Sequence, residues 1–227
     1  MSNFKKKKYL RDAHLAYLIN GARRTIPEGY PVIEKWMVSK TIPKFMTQWD
    51  KRSEVSSNVG DVCMSFYCDD WNFTPVLDNP RNYVEKLKKY QSIIGMDASP
   101  YDNMPLVIQQ NQIYVNLAIT YYYGSKGIKV IPNVRLGSNE TLNCLAAYPK
   151  ETIIGIGTNG FTKEKNNRKI FKNQVSVIVD TLRPTHILVY GPYYDEVFIS
   201  AKEKDIPIYV YDSYMQIKNR GMSIHEG

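Results

Sequence analysis

Carboxylates follow two apolar segments of this sequence at the points where buried strands would end. Asp69 and Asp70 come at the end of the segment VCMSFYC, and Asp97 follows SIIGM. Carboxylates at several strand ends can hold Mg²⁺ or Mn²⁺ through one or two oxygens and leave water or phosphate in the other positions. Arg135, which follows IKVIPNV, could neutralise a phosphate. We therefore predict Asp70, Asp97 and Arg135 as catalytic residues, with Asp69, Asp70 and Asp97 as the metal ligands.

Other predicted strand ends carry polar side chains that would reach the same site. In parallel α/β proteins the residues just past the carboxyl ends of the strands converge on one edge, where ligands bind. The same residue types also cap helices and form turns for local backbone reasons, and this alternative is strongest for Asp102, within YDNMP. The predicted ligand-binding residues are Ser99, Asp102, Asn133, Thr158, Asn159, Tyr190 and Asp212.

The elements that would position these residues alternate from residue 58 onward. Continuous apolar strands separated by amphipathic helical segments are typical of right-handed βαβ units, whose parallel strands are buried on both faces. The pattern predicts an α/β fold with a mainly parallel six-stranded sheet and helices on both faces, either doubly wound or a partly closed, degenerate barrel. A complete eight-stranded barrel typically needs about 250 residues. The strands are predicted at 60–69, 92–97, 128–135, 152–158, 186–190 and 207–211.

The first 57 residues lack this alternation. An N-terminal helical pattern ends at TIPEGYPVI, and prolines interrupt the residues that follow. We predict a helical and irregular N-terminal arm at 1–57 and an α/β core domain at 58–227.

Composition favours an acidic partner. The 227 residues carry a net charge of +8, which favours contact with nucleic acid or acidic surfaces. Part of the excess is the lysine run 5–8, which is either a hydrated face or a phosphate-contacting arm. No apolar run is long enough for a membrane span and the charged N-terminus lacks a signal peptide's apolar segment, so we expect a cytoplasmic protein with no membrane partner.

Five ordered blocks give this sequence a resemblance to a known family. They are DDWNF, DASPYDNMP, GIKVIPNV, IGIGTNG and ILVYG. Over residues 58–212 the sequence resembles an uncharacterised family of domains of unknown function found in bacteriophages, plasmids and integrative elements. Arg135 stands where a tryptophan is common in that family, which would make the pocket cationic instead of aromatic. The resemblance implies a mobile-element context and supports the strand-end blocks.

Three functions are compatible with these residues. The first is a metal-dependent hydrolase of phosphate esters that processes nucleic acid or nucleotides for a phage or mobile element. The second is a non-catalytic binder of a small polar ligand or a host factor, as in a counter-defence or regulatory protein. The third is a glycosidase-like hydrolase, which needs two carboxyl groups about 5 Å or about 6.5–9.5 Å apart.

Overall fold

The computed structural model describes residues 16–55, 58–159 and 165–221. The lysine run 5–8 lies outside these residues. All six predicted strands are present, although most are shorter than predicted, and a seventh precedes them. The strands are β1 (Phe45–Gln48), β2 (Val62–Ser65), β3 (Ser92–Ile94), β4 (Val130–Ile131), β5 (Ile153–Gly157), β6 (His186–Tyr190) and β7 (Ile208–Tyr211).

The strands form two parallel sheets in sequential order. The first sheet has the order β1-β2-β3-β4 and the second β5-β6-β7, so the predicted single six-stranded sheet is wrong. The two sheets meet at one parallel bridge between Asn133 and Gly155, where the Gly155 N–H donates to the Pro132 carbonyl over 2.8 Å. The sequential order in each sheet also differs from a doubly wound arrangement, in which the strand order reverses.

The two sheets together curve strongly. Neighbouring strands lie about 4.8 Å apart, so seven strands in a flat array would separate the outer two by about 29 Å. Instead, the Tyr211 hydroxyl at the end of β7 donates over 2.6 Å to the carbonyl of Pro43, just before β1. No ladder joins β1 to β7 within the described residues, so the barrel is not closed. The concave face packs one cluster with side chains from every strand: Met46, Cys63, Tyr67, Ile94, Ile131, Ile153, Leu188, Tyr190 and Tyr211, with Ile42 beside them.

A larger apolar cluster covers the convex face. Alternate residues of one strand belong to different clusters, because successive side chains point to opposite faces: Ile153 packs inside, whereas Ile154 and Ile156 pack outside. Every helical side chain that joins a cluster joins the outer one, so the prediction of helices on both faces is wrong for the described residues. The α-helices are α1 (Asp70–Asp78), α2 (Val84–Leu87), α3 (Leu106–Ser125), α4 (Lys165–Leu182), α5 (Ile199–Lys202) and α6 (Tyr214–Asn219).

Six 3-10 helices complete the described elements. They span Ala16–Ile19, Lys35–Met37, Trp49–Glu54, Val59–Asp61, Pro80–Tyr83 and Asn139–Ala147. Among the residues described, no helix combines the length and apolar character needed to cross a membrane.

Residues 16–55 pack into the fold. Strand β1 is an edge of the first sheet, and Tyr30, Met37 and Trp49 are buried in the outer cluster. The predicted helical and irregular arm at 1–57 therefore includes one strand, β1, that was not among the predicted strands. The division into two domains at residue 57 stays a prediction. Strands β1 and β2, on the two sides of that residue, pair in the same sheet.

Two glycines of β5 make room for an aromatic ring inside the curved sheet. A Cβ atom at Gly157 would lie 2.6 Å from the Tyr67 ring, and one at Gly155 would lie 3.0 Å from the Tyr67 hydroxyl. The ring cannot retreat easily, because it stacks on Tyr190 at a centroid distance of 5.2 Å. The first two glycines of IGIGTNG, Gly155 and Gly157, are thus explained by packing.

We expect Gly157→Ala to destabilise the fold by about 1–3 kcal/mol, because overpacking a rigid core site has a cost of this size. The matched control is Gly60→Ala, at an exposed glycine whose added Cβ would meet nothing closer than 3.5 Å. Urea denaturation of both variants measures the difference. Equal stability of the two variants would contradict the packing role of Gly157.

Candidate ligand-binding site

Asp97 is the buried centre of the carboxyl edge of the sheet. It follows β3, and its carboxylate oxygen Oδ1 accepts a 2.7 Å hydrogen bond from Asn133 Nδ2. Arg135 Nη1 lies 3.8 Å from the same oxygen, an ion-pair distance too long for a hydrogen bond. Burial raises the pKa of the Asp97 carboxyl, Arg135 and Asn133 lower it, and the charge of Asp70 raises it further.

Asn133 connects Asp97 to the second strand. Its amide nitrogen also donates to the Met96 carbonyl over 3.0 Å, and its Oδ1 accepts from the Tyr67 hydroxyl over 2.9 Å. Burial and the charge of Asp97 raise the pKa of Tyr67 well above its ordinary value, so this phenol stays protonated and remains a donor. Tyr67, Asn133, Asp97 and Arg135 therefore form one continuous polar chain across β2, β3 and β4.

Arg135 connects this network of polar side chains to a pocket. Its side chain is 20% exposed and lines a cavity between the residues after β3, the residues after β4 and helix α4. Apolar groups provide most of the wall, and Gln174 fixes the floor by donating to the Gly137 carbonyl over 2.7 Å. The lining residues besides Arg135 are Pro100, Tyr101, Asp102, Val134, Leu136, Gly137, Gly157, Phe171, Gln174 and Ile178.

Asp70 joins the edge from the start of α1. Both of its oxygens face Ser99: Oδ2 accepts from the Ser99 backbone N–H over 3.2 Å and Oδ1 from the hydroxyl over 3.4 Å. The sequence contains no obvious helix start after Asp70, since Pro75 lies where it would interrupt a helix, yet α1 begins at Asp70 and includes Pro75. Asp69 precedes the helix as its N-cap residue, is exposed, and makes no side-chain cap bond.

The predicted metal ligands do not form a three-ligand group. No set of three His, Cys, Asp or Glu side chains within the described residues is placed to hold a metal ion. Asp97 already has Asn133 and a cation beside it, and Asp70 already accepts two bonds from Ser99. These residues do not fit a divalent metal in the observed arrangement, and metal binding stays a prediction.

The remaining predicted ligand residues make local structural contacts. Thr158 Oγ1 donates to the Tyr190 carbonyl over 3.0 Å, and the buried Tyr190 hydroxyl accepts from the Tyr214 N–H at the same distance. Asp212 pairs with Arg220. Asp102 lies in an exposed turn and lines the pocket, and Asn159 is exposed after β5.

The site residues that were not predicted from the sequence include Tyr67, Phe171 and Gln174. Tyr67 lies within an apolar segment, where an aromatic residue usually indicates core packing. Phe171 and Gln174 come from the middle of α4, far in sequence from any strand end. No local pattern signals Tyr67 as a site residue, because the curvature of the sheet brings its hydroxyl to Asn133.

The raised pKa of Asp97 predicts how stability depends on pH. A carboxyl group whose pKa is higher in the folded state binds a proton more tightly there, so its contribution to stability falls as pH rises from about 3.8 through the folded value. We expect the stability of wild type relative to Asp97→Asn to be largest in acid and to decrease towards pH 7, by at most about 1.4 kcal/mol per pH unit.

Urea denaturation between pH 3 and 7 tests this expectation. Asp69→Asn, which changes a neighbouring but exposed carboxylate, is the matched control. A wild-type advantage over Asp97→Asn that grew with pH would show that Arg135 and Asn133 outweigh the burial of Asp97.

Comparisons with known proteins agree with the resemblance seen in the sequence. The profile of the family described as Domain of unknown function (DUF4417) matches residues 28–211, so the match begins before β1. The chain is similar to the "Gene 1 protein" of Mycobacterium phage L5, with 24% identity over 154 residues, and spans 66% of that protein's length and 66% of its own. No solved structure matches. Because the family profile covers most of the sequence, this chain belongs to the DUF4417 family, a domain of unknown function with a phage-associated relative.

Proposed function

We propose that the protein binds a small ligand with one anionic group, a phosphate or a carboxylate, in the pocket at the carboxyl edge. The observation that carries this proposal is the position of Arg135, which lines the pocket and has the buried Asp97 carboxylate behind it. A guanidinium held by a buried partner is pre-organised to bind phosphate or carboxylate groups, and little side-chain freedom is lost on binding.

The rest of the pocket suggests what the ligand attaches to its anionic group. Phe171, Ile178 and Leu136 give the wall an apolar surface, and Tyr101 is exposed at its side. Ligand pockets typically combine such walls with a few polar groups that fix orientation. A nucleoside monophosphate and an aromatic carboxylate both have this combination of one anionic group and a planar apolar body.

The electrostatics of this edge favour a small ligand over a polymer of phosphates. The described segments that leave the strands, at 49–54, 66–70, 95–102, 132–138, 158–159, 191–196 and 212–213, contain nine Asp and Glu against three Lys and Arg. An excess of carboxylates repels a polyanion over the range of a Debye length. Nucleic-acid processing at this edge stays a prediction that would need a bound cation.

Metal-dependent hydrolysis of phosphate esters is the alternative that needs such a cation. A metal at Asp97 would have to bind Oδ2, because Asn133 and Arg135 both contact Oδ1, and its charge would lie close to the Arg135 guanidinium. The two proposals therefore assign opposite roles to Asp97: a support for Arg135 in the first and a metal ligand in the second.

We expect Arg135→Gln to reduce ligand affinity by about tenfold to 150-fold, the effect of losing one charge-assisted hydrogen bond of about 1.5–3 kcal/mol. Thermal-shift titrations with nucleoside monophosphates and aromatic carboxylates identify a ligand, and calorimetry then measures its affinity for each variant. Arg183→Gln is the matched control. Arg183 lies before β6, at the edge of the sheet opposite the pocket, and pairs with Glu151. A ligand that binds Arg135→Gln as tightly as wild type would contradict the proposal.

Asp97→Asn separates anion binding from metal binding. In the proposed site the variant retains anion binding in the absence of divalent metal, since Arg135 keeps its charge. If the ligand bound only with Mg²⁺ or Mn²⁺ present and Asp97→Asn abolished that binding, the metal-dependent alternative would be supported.

A further inference from the structure

The amino ends of the strands form a basic edge on the side of the sheet opposite the pocket. All strand pairs are parallel, so the segments that enter the strands lie at one edge and those that leave lie at the other. The entering segments contain nine Lys and Arg against four Asp and Glu, the reverse of the leaving segments. These entering segments are 40–44, 58–61, 88–91, 126–129, 148–152, 183–185 and 203–207.

Most of these cations have no carboxylate partner among the described residues. Of the nine, Lys88 pairs with Glu85, Arg183 with Glu151 and Lys204 with Asp180. The others are exposed, and within the part of the chain that the structure describes no carboxylate lies within ion-pair distance of them. They are Lys40, Lys44, Lys89, Lys126, Lys129 and Lys150.

Aromatic rings hold two cations at one end of this edge. The Arg81 guanidinium lies 3.8 Å from the centre of the Tyr17 ring, and Lys126 Nζ lies 5.2 Å from the centre of the Tyr122 ring. Both cations line one hollow, to which Asn20 also contributes. Cation–π contacts position these groups but leave their positive charge in place, as a phosphate contact requires.

An exposed indole lies beside the lysines. Lys129 Nζ donates to the Trp36 carbonyl over 3.2 Å, and the Trp36 side chain is 60% exposed. Cationic side chains with an accessible aromatic ring are the combination that nucleic-acid-binding surfaces use, the cations for phosphates and the ring for bases or sugars.

We propose that the amino edge binds the phosphate backbone of a nucleic acid through Lys89, Lys126, Lys129 and Arg81. This surface is independent of the pocket and does not rest on the function proposed for it. Surfaces that bind anionic membranes combine basic residues with an apolar face, whereas none of the large apolar side chains in the seven entering segments is exposed, and Trp36 adds one exposed ring beside them and not a face. A nucleic acid is the polyanion whose phosphates can contact cations that lie at several strand ends.

The test compares two triple variants of the full chain. Lys89, Lys126 and Lys129 are changed to Gln together, and the matched control changes Lys165, Lys169 and Lys172, three exposed lysines of α4, in the same way. Fluorescence anisotropy measures binding of a labelled duplex and of a labelled single strand between 50 and 200 mM KCl. We expect the edge variant to lose at least about tenfold in affinity and up to about 0.9 in log–log salt slope per lost duplex contact. The α4 variant should stay within about twofold of wild type.

Three results would overturn the proposal. One is the absence of binding by wild type at the lowest salt concentration. Another is an equal loss in both variants, which would mean a non-specific response to net charge. The third is an edge variant with unchanged affinity and salt slope, which would assign any binding to another part of the chain.

Two further measurements make these results specific. Arg135→Gln should bind the oligonucleotides as wild type does, because Arg135 lies at the other edge, so failure of the pocket proposal leaves this one testable. Co-sedimentation with phosphatidylserine vesicles covers the other polyanion, and a surface that bound vesicles but neither oligonucleotide would contradict the assignment. Circular dichroism spectra and melting temperatures of the variants verify that each one is folded.

Discussion

The buried carboxylate of Asp97 is the constraint on which the carboxyl edge depends. A charge removed from water costs several kcal/mol unless the protein replaces its hydration. Asn133 and Arg135 supply part of that replacement, and Asn133 can do so only in the orientation that accepts the Tyr67 hydroxyl. Tyr67 in turn occupies space that β5 leaves open by having glycines opposite its ring. One buried carboxyl group therefore fixes side chains from three consecutive strands and the glycines of a fourth.

The same constraint explains where the two sheets join. Asn133 forms the parallel bridge with Gly155, the connection between β4 and β5, and its side chain is the centre of the polar chain. If β5 moved away, Tyr67 would lose its packing against the β5 glycines, and Asn133 would lose its bridge to Gly155. The curvature of the sheet and the polar chain are thus mutually dependent. The curvature brings β5 against Tyr67, and the polar chain holds Tyr67 and Asn133 at the junction of the two sheets.

Sequence patterns predicted the strands better than the contacts between them. Continuous apolar runs indicated six parallel strands correctly, and these strands are buried on both faces except β7, where Tyr209 and Val210 are exposed. Strand β1 was missed because FMTQ is short, half polar and close to Pro43, and its strand character comes from pairing with β2. Asp97, Asn133 and Arg135 were found because each follows a strand, whereas the equally plausible Thr158 and Asp212 form local bonds to Tyr190 and Arg220. Position after a strand identifies candidates, but the partner of each side chain depends on curvature that no local pattern encodes.

The separation of charge between the two edges has a topological origin. Helix ends favour acidic residues at the amino end and basic residues at the carboxyl end, because of the helix dipole and its unpaired backbone groups. In a chain of parallel strands each connecting helix begins near the carboxyl edge and ends near the amino edge, so these small preferences add instead of cancelling where they occur. The longest helices, α3 and α4, have no acidic residue in the first turn and no basic residue in the last turn. Asp70 at the start of α1 and Lys126 after the end of α3 are examples of the preferences. Within the described residues, the carboxyl edge is thereby acidic and the amino edge basic. A long polyanion is attracted to the amino edge and repelled from the carboxyl edge, so Arg135 is left to a ligand small enough to be bound by one guanidinium.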